Sequence, residues 1–396
     1  MENNVNISLE YAIKLAYERI RVLPTEQVDF LESAGRVLAK DVYSDINMPP
    51  FNKSAMDGYA CRKVDLGSWL SILEVIPAGR PPQFRIEAGQ CSKIMTGAAV
   101  PEGADIVFMV EHAEVNEKQQ VRFTGTKTSS NICLLGEELK KGDLVLKSGT
   151  TLKAQHIAML ASVGCTKPLV FHQPKVGIIS TGSELVEPDV FPQVSQIRNS
   201  NGHQMQIQAN ACHCQVKYYG IVADNEQTIS ETIERSVSEN SVTLVSGGVS
   251  VGDFDHVPKI IRQLGFEILF NKIAVKPGKH TTFAVKDHKY IIGLPGNPVS
   301  SFIQFELFVK PFLLKMMNYS APDVQLPLPL AADYHRRKAD RQEFVPVKIN
   351  EKNEVETVRY HGSAHIYAYH DAFGFMVIPE DVRTILKGET VYVRPL

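Results

Sequence analysis

A glycine turn followed by two acidic residues is the stretch of this sequence best suited to chemistry. Residues 246–248, Ser-Gly-Gly, follow the predicted strand 242–245, in which three of four residues are apolar, and Asp253 and Asp255 come shortly afterwards. Backbone amides at such a strand-to-helix turn can bind an anion, because glycine has no Cβ to keep a ligand away. Two carboxylates would repel a bare phosphate, so, if they face the ligand, the stretch predicts a divalent cation between the carboxylates and the phosphate. The alternative is a tight turn followed by a helix cap.

Two further turns carry acidic residues after predicted strands. The run 176–179 is typical of a strand and leads to Glu184, and the run 215–221 is typical of the next strand and leads to Asp224. In open α/β sheets, ligands bind beyond the carboxyl ends of the strands, so these turns and residues 246–255 should converge on one crevice. Carboxylates at successive strand ends hold a metal or act as acid and base.

Two lysines and a Pro-Gly-Asn-Pro turn complete the candidate chemistry. Lys276 and Lys279 flank a Pro-Gly turn, from which both could reach an anion. Residues 295–298 follow a predicted strand and precede a long apolar helix over 302–317. Asn297 would also suit a helix cap and Pro298 a first helical turn, so a ligand site and a plain helix start both remain open.

Composition predicts a multidomain globular protein. The length of 396 residues suggests roughly two to four domains. Hydrophobic residues make up 44% and charged residues 22%, and the net charge of −2 gives no electrostatic case for nucleic acid. No apolar run approaches the length of a membrane span and the polar start is no signal peptide, so we expect a cytoplasmic protein. The six cysteines suggest no disulfide framework, and residues 212–214, Cys-His-Cys, lack a second pair of metal ligands.

The elements that must position these residues change character along the chain. An apolar stripe predicts a helix that begins at a Ser8 cap, and short strands follow the irregular loop 48–60, as in a small barrel or sandwich. Strands and helices alternate after Pro174, and strands return after a linker with Pro327 and Pro329. The predicted fold is multidomain α/β plus β. Its parts are a helical segment (1–47 and 148–173), a β-rich insert (48–147), a doubly wound domain (174–322) and a C-terminal β-domain (323–396).

Several motifs, in this order, resemble one family over nearly the whole chain. The chain is similar to the molybdopterin molybdenumtransferases, the molybdenum insertases of the MoeA and gephyrin E-domain family. Any one motif alone is weak evidence, whereas the ordered set is specific. The motifs are residues 48–60, residues 94–105 with Glu111, residues 180–185 with 199–201, residues 246–255, and residues 276–279 with 294–298. Residues 94–105 could also be no more than a barrel corner.

The resemblance implies a fold, a reaction and partners. The doubly wound domain would bind molybdopterin, and the chain would form an elongated homodimer with shared active sites. The implied reaction inserts molybdate into adenylylated molybdopterin and releases AMP, with Mg²⁺ as the required metal. A molybdopterin adenylyltransferase and molybdoenzyme-maturation proteins are the other implied partners; nucleic acid and membrane are not.

Carried over by position, the resemblance also implies the roles of individual residues. Asp57 and Thr96 of the insert would close over the pterin site of the other subunit, and Asp224 and Asp255 would hold the metal. The implied catalytic residues are Asp57, Glu184, Asp224 and Asp255. The implied substrate-binding residues are Thr96, Thr181, Gly182, Ser183, Ser246, Gly247, Gly248, Gly252, Lys276, Lys279, Pro295, Gly296, Asn297, Ser300 and Arg341.

The sequence departs from the family pattern in four places. Glu138 stands where the family has Asp, Ser183 where it also has Asp, and His280 where it usually has Pro. Residues 362–371 replace a run rich in Ser and Leu. Two other functions are possible from the sequence: a molybdopterin adenylyltransferase, which shares the doubly wound domain, and a non-catalytic scaffold like gephyrin. The additional domains disfavour the first, and the acidic residues and lysines of the crevice disfavour the second.

Overall fold

The computed structural model describes residues 6–249, 256–320 and 322–396. Three predicted site residues, Gly252, Asp253 and Asp255, lie outside the described residues. Three six-stranded sheets organise the described part, one in each of the insert, the middle of the chain and the C-terminal region. The fold class predicted from the sequence, multidomain α/β plus β, is confirmed.

The central sheet is the doubly wound sheet that the sequence predicts. Four neighbouring strands are parallel, and two more extend the sheet with antiparallel pairing. Every residue of the strand Val242–Ser246 is buried, as expected where helices cover both faces of a parallel sheet. In spatial order the strands are Gln215–Val222, Lys175–Thr181, Val242–Ser246, Lys289–Leu294, Thr282–Lys286 and Glu267–Phe270.

Helices cover both faces of the central sheet, and each face has its own hydrophobic core. Leu244 and Val245 are successive residues of one strand, yet they belong to different cores, because side chains alternate between the faces of a sheet. Leu9–Arg19, Asn201–Ala211 and Pro298–Gln304 lie on the first face, together with Lys310–Met316; Glu226–Glu239 and Val257–Gln263 lie on the second. No helix in the described ranges has the length and apolar character that a membrane crossing requires.

The first helix begins at the predicted cap, whereas the long apolar helix begins earlier than predicted. Ser8 caps the first helix, since its Oγ accepts a hydrogen bond of 3.2 Å from the Tyr11 amide. The buried residues of this helix pack into the core of the central sheet, so the N-terminal helix shares a core with the middle of the chain. The predicted apolar helix 302–317 begins earlier, at Pro298, and a π-helical turn, Phe305–Val309, interrupts it.

The insert forms one open mixed sheet, whereas the sequence suggested a barrel or a sandwich. The segments before and after this sheet run side by side and form three short antiparallel pairs. A short helix, Ala154–Ser162, lies in the later segment. The sheet order is Ile106–Met109, Gly58–Cys61, Gln90–Ile94, Leu70–Ile76, Gln120–Phe123 and Ala113–Val115. The flanking pairs are Thr25–Gln27 with Leu169–Phe171, Val42–Tyr43 with Leu144–Leu146, and Lys53–Ser54 with Ile132–Cys133.

The C-terminal sheet takes its edge strand from the middle of the chain. Val275–Lys276 pairs in parallel with the start of Gln342–Ile349. At the other edge lies Leu326–Pro329, so the predicted linker with two prolines is a strand. Proline is tolerated at an edge because its missing N–H would otherwise face solvent. The remaining strands of the sheet are Val355–Thr357, Gly374–Ile378 and Thr390–Pro395, and Tyr334–His335 pairs with Thr384–Ile385 beside it.

Candidate functional site at the ends of the parallel strands

A cleft of about 630 Å³ lies at the carboxyl ends of the parallel strands, where ligands bind in doubly wound sheets. Its lining includes Glu184 and Asp224, two of the three predicted acidic site residues in the described ranges. The sequence-predicted residues that the structure brings together in this lining are Thr181, Gly182, Glu184, Asp224, Ser246, Gly247, Gly248, Pro295, Gly296 and Asn297.

Ser183 fixes the position of Asp224. The Ser183 amide donates a hydrogen bond of 3.0 Å to Asp224 Oδ2, and the Asp224 amide donates one of 3.1 Å to Ser183 Oγ. These reciprocal bonds connect the turns of two neighbouring strands. Asp224 Oδ1 accepts no hydrogen bond from the described residues, so one carboxylate oxygen remains for a ligand.

Gly247 allows two turns of the cleft to pack backbone against backbone. Its φ is +93°, and a Cβ on it would lie 2.4 Å from the carbonyl oxygen of Thr181. Its amide donates to Leu294 O at 3.1 Å, which removes this donor from ligand binding. The predicted row of free amides is therefore reduced to that of Gly248, which donates to no acceptor in the described part of the chain.

Asn201 connects three turns of the cleft, although the sequence analysis assigned it no role in the site. Its Nδ2 donates to Ser246 Oγ and to Gly296 O, each at 2.8 Å. Asn199 lines the cleft as well, and its Nδ2 donates to Ser180 Oγ at 3.0 Å and to Tyr218 OH at 2.7 Å. Two asparagines separated by one residue, between a strand and a helix, were the signal that could have identified them.

The predicted oxyanion residues Lys276, Lys279, Ser300 and Arg341 do not line the cleft. Lys276 Nζ is ion-paired at 2.7 Å with Glu343, whose side chain is only 6% exposed. Arg341 Nη1 donates to the carbonyl oxygen of Val275 at 3.1 Å, and Ser300 is buried. Lys276 and Arg341 lie where the central part of the chain joins the C-terminal sheet through the pairing of Val275–Lys276 with Gln342–Ile349.

Buried polar side chains support the turn that carries both lysines. Gly278 O accepts hydrogen bonds from Gln304 Nε2 at 2.8 Å and from Thr281 Oγ1 at 3.3 Å. The φ of Gly278 is +109°, and a Cβ on it would lie 2.6 Å from Gln304 Nε2. These hydrogen bonds fix the turn, and His280, the residue after Lys279, lines the cleft.

Asp57 and Thr96 are in direct contact in the insert, away from the cleft. The amide and the hydroxyl of Thr96 both donate to Asp57 Oδ1, at 2.6 and 2.7 Å. These bonds lower the pKa of the Asp57 carboxyl below its ordinary value. Both residues are exposed, and no residue of the insert lines the cleft of its own chain.

The oxygen donors of the cleft fit a magnesium ion shared with a phosphate. Glu184 and Asp224 supply carboxylates, and Mg²⁺ typically takes one or two carboxylates, with water and phosphate as its other ligands. No group of three or more His, Cys, Asp or Glu side chains in the described ranges is arranged to hold a metal without such help. The second predicted metal ligand, Asp255, lies outside those ranges.

Three regions of the chain match known protein families. Residues 7–164 match the MoeA N-terminal region (domain I and II). Residues 177–315 match a probable molybdopterin binding domain, and residues 327–396 match the MoeA C-terminal region (domain IV). The chain belongs to the MoeA family.

Curated and structural relatives agree with this assignment. A molybdopterin molybdenumtransferase of Haemophilus influenzae is 35% identical over 94% of both chains. One of Staphylococcus epidermidis is 38% identical over 81% of this chain and 78% of its own. The crystal structure of a molybdopterin biosynthesis MoeA protein from Pyrococcus horikoshii has a TM-score of 0.85 at 30% identity, covering 99% of this chain and 100% of that one.

Of the four departures from the family pattern predicted from the sequence, some reach the cleft of this MoeA chain and others do not. Ser183 binds Asp224 by a hydrogen bond from its amide, and His280 lines the cleft. Glu138 lies at the base of the insert, where its amide donates to Met48 O at 3.0 Å. The unusual C-terminal run reaches the cleft through Ala364, and its Ser363 accepts a hydrogen bond of 2.9 Å from the Asn297 side chain.

Proposed function

We propose that this chain inserts molybdate into adenylylated molybdopterin and releases AMP in a Mg²⁺-dependent reaction. Membership of the MoeA family makes it a transferase of molybdenum cofactor biosynthesis. The observation that carries the finer proposal is the cleft itself. Glu184 and Asp224 line it, Asn201 holds its turns together, and it lies where a doubly wound domain binds ligands.

Acidic residues of the cleft would hold the magnesium ion. Asp224 offers a free carboxylate oxygen, and we assign Asp255 as the second ligand on the sequence motif alone. When bound, the cation would supply the positive charge that stabilises the phosphate of the leaving AMP. The free amide of Gly248 adds a neutral donor for a phosphate oxygen.

The turn that carries Lys276 and Lys279 would bind molybdate. Its two ammonium groups would reduce the repulsion between a dianionic molybdate and the anionic phosphates. Two features support this assignment: His280, the next residue, lines the cleft, and Lys279 has no ion-pair partner among the described residues. Ser300 and Arg341 complete the proposed oxyanion group beside the C-terminal sheet.

The insert would act on the cleft of a second copy of the chain. Asp57 and Thr96 form an ordered, exposed pair, which a solvated surface turn does not require, and no insert residue lines the cleft of its own chain. A homodimer in which each insert completes the partner's cleft accounts for both observations. A molybdopterin adenylyltransferase is the class of enzyme that would supply the adenylylated substrate.

Product analysis distinguishes this proposal from adenylyl transfer. The purified protein is incubated either with adenylylated molybdopterin, molybdate and Mg²⁺, or with molybdopterin, ATP and Mg²⁺. AMP should be released in the first mixture, with no pyrophosphate released in the second, and Asp224→Asn should slow the first reaction. Pyrophosphate release in the second mixture alone would identify an adenylyltransferase. Activity in neither mixture would remove the catalytic proposal.

A further inference from the structure

Arg198 is the one lysine or arginine among the described residues that line the cleft. It lies on the short strand Ile197–Arg198, which pairs in parallel with Leu185–Val186 directly after the Glu184 turn. Its Nε donates a hydrogen bond of 3.3 Å to Val190 O. This bond anchors the guanidinium to the loop that joins the two short strands.

The remaining donors of Arg198 are free in the described structure. No carboxylate there lies within ion-pair distance of it, although Glu184 and Asp224 line the same cleft. A guanidinium is charged at every relevant pH, and its planar pair of Nη groups matches the oxygens of a phosphate. A positive group with unused donors at the wall of a cleft is suited to an anionic ligand.

Other groups expected to bind phosphate are less well placed. The Gly247 amide is used by Leu294 O, and Lys276 is paired with Glu343 outside the cleft lining. A ligand with several phosphate charges would meet the carboxylates of Glu184 and Asp224 in the described lining. Arg198 supplies a fixed positive charge in this lining that offsets part of their negative charge.

The order of the central sheet separates Arg198 from the lysine turn. Arg198 lies in the connection after the strand Lys175–Thr181. His280 lies two residues before Thr282, which pairs with Gly293 at the far side of the parallel strands. The strands Val242–Ser246 and Lys289–Leu294 lie between them. Arg198 and the turn that carries the lysines thus lie on opposite sides of the strand that ends in the glycine turn.

We propose that Arg198 binds the phosphate group of the nucleotide-linked substrate, at the opposite end of the cleft from the lysine turn that binds molybdate. Leu185 and Ile197 line the cleft beside it and offer an apolar contact to a ring attached to that phosphate. The identity of the two anions rests on the proposed function. The separation of the two anion positions rests on the places of Arg198 and the lysine turn at opposite sides of the parallel strands.

Binding measurements with AMP and molybdate as separate probes test this proposal. Arg198→Gln should weaken the binding of AMP about tenfold or more, because charge-assisted hydrogen bonds to the phosphate are lost. Arg198→Lys should recover part of that affinity, since it keeps the charge but not the bidentate geometry. Molybdate binding should stay within about twofold of wild type in both variants, and Lys279→Met should show the reverse selectivity.

Arg337→Gln is the matched control, because it removes an exposed arginine that does not line the cleft. It should change neither affinity, and thermal unfolding should show that all variants are folded. Wild-type AMP affinity in Arg198→Gln would overturn the proposal, as would equal loss of AMP and molybdate binding. If the protein binds AMP through Arg198 but releases none from adenylylated molybdopterin, the anion position stands and the proposed reaction falls.

Discussion

Lys276 Nζ lies 2.7 Å from Glu343 Oε1, so a lysine of the proposed oxyanion turn is paired with a buried carboxylate of the C-terminal sheet. The other oxygen of Glu343 lies 3.3 Å from Arg336 Nη1. One carboxylate thus serves two cations, and the group keeps a net positive charge. This contact fastens the C-terminal sheet to the turn that carries both lysines.

Glu343→Gln should destabilise the protein by about 3 kcal/mol, because it leaves the buried Arg336 without its counter-charge. The Arg336 side chain is only 3% exposed. Denaturant unfolding measures the loss. Glu267→Gln is the control, since its partner Arg19 is exposed, and it should cost no more than about 0.5 kcal/mol. Similar small losses in both variants would show that the buried pair contributes little.

Thr96→Val should raise the pKa of Asp57 towards its ordinary value, because it removes the hydroxyl that donates to Asp57 Oδ1. NMR titration of the Asp57 carboxyl measures the change. A lowered carboxyl pKa stabilises the fold above the unfolded value of about 3.9, and this stabilisation is lost as the pH falls through the folded value. The variant should therefore lose less stability than wild type on acidification. Thr124→Val, at an exposed threonine, should leave Asp57 unchanged; an unshifted Asp57 in Thr96→Val would contradict the assignment.

Gly247→Ala should destabilise the protein more than Gly220→Ala. The two glycines have similar φ values, +93° and +87°. A Cβ on Gly247 would lie 2.4 Å from the Thr181 carbonyl oxygen, whereas a Cβ on Gly220 would meet no atom within 4 Å. Gly220→Ala should cost about 1–2 kcal/mol from the left-handed backbone alone. Gly247→Ala should cost more and also lower activity, because the Thr181 turn must move. Equal losses of unfolding free energy would mean that the turns are not tightly packed.

Asn201→Ala should slow the reaction and cost about 1–3 kcal/mol, because the buried Ser246 hydroxyl and the Gly296 carbonyl lose their donor. Asn210→Ala, on the exposed side of the same helix, should affect neither property. Chemical denaturation and turnover measurements check both variants. Normal turnover in Asn201→Ala would show that the bridge between the turns is not required for the chemistry.

A mixture of Asp57→Ala and Asp224→Ala chains should recover roughly a quarter of native AMP release if each active site uses both subunits. With random exchange, half of the dimers would be mixed, and each mixed dimer would carry one intact site. Either variant alone should remain inactive. Absence of recovery, with subunit exchange shown by mass spectrometry of tagged chains, would place Asp57 and Asp224 in the site of a single chain.

The sequence predicted elements well where periodicity decides them, and contacts poorly where distant segments meet. The run 176–179 predicts a strand, and the structure has Lys175–Thr181 there. The predicted alternation of strands and helices after Pro174 is also present, because apolar periodicity changes from strand to helix. Leu326–Pro329 was missed as an edge strand, because two prolines hide a pattern that is acceptable only at an edge. The partnership of Lys276 with Glu343 depends on a sheet pairing that no local pattern reveals.

The candidate site was predicted to a similar extent. The acidic and glycine turns lie together because the parallel strands end at one edge of the sheet, as their sequence pattern implied. Arg198 and Asn201 were not assigned to the site, since a polar side chain on a two-residue strand or at a helix start has no periodic signal. Their roles depend on which carbonyls and hydroxyls the fold brings within reach.

Molybdate-dependent release of AMP in a single turnover tests the central claim most directly. The protein is loaded with adenylylated molybdopterin and Mg²⁺, and AMP is measured before and after molybdate is added. The proposed function predicts that release begins with molybdate and reaches one AMP per subunit. Release at the same rate without molybdate, or no release with it, would contradict the assignment of this cleft as a site of molybdate insertion.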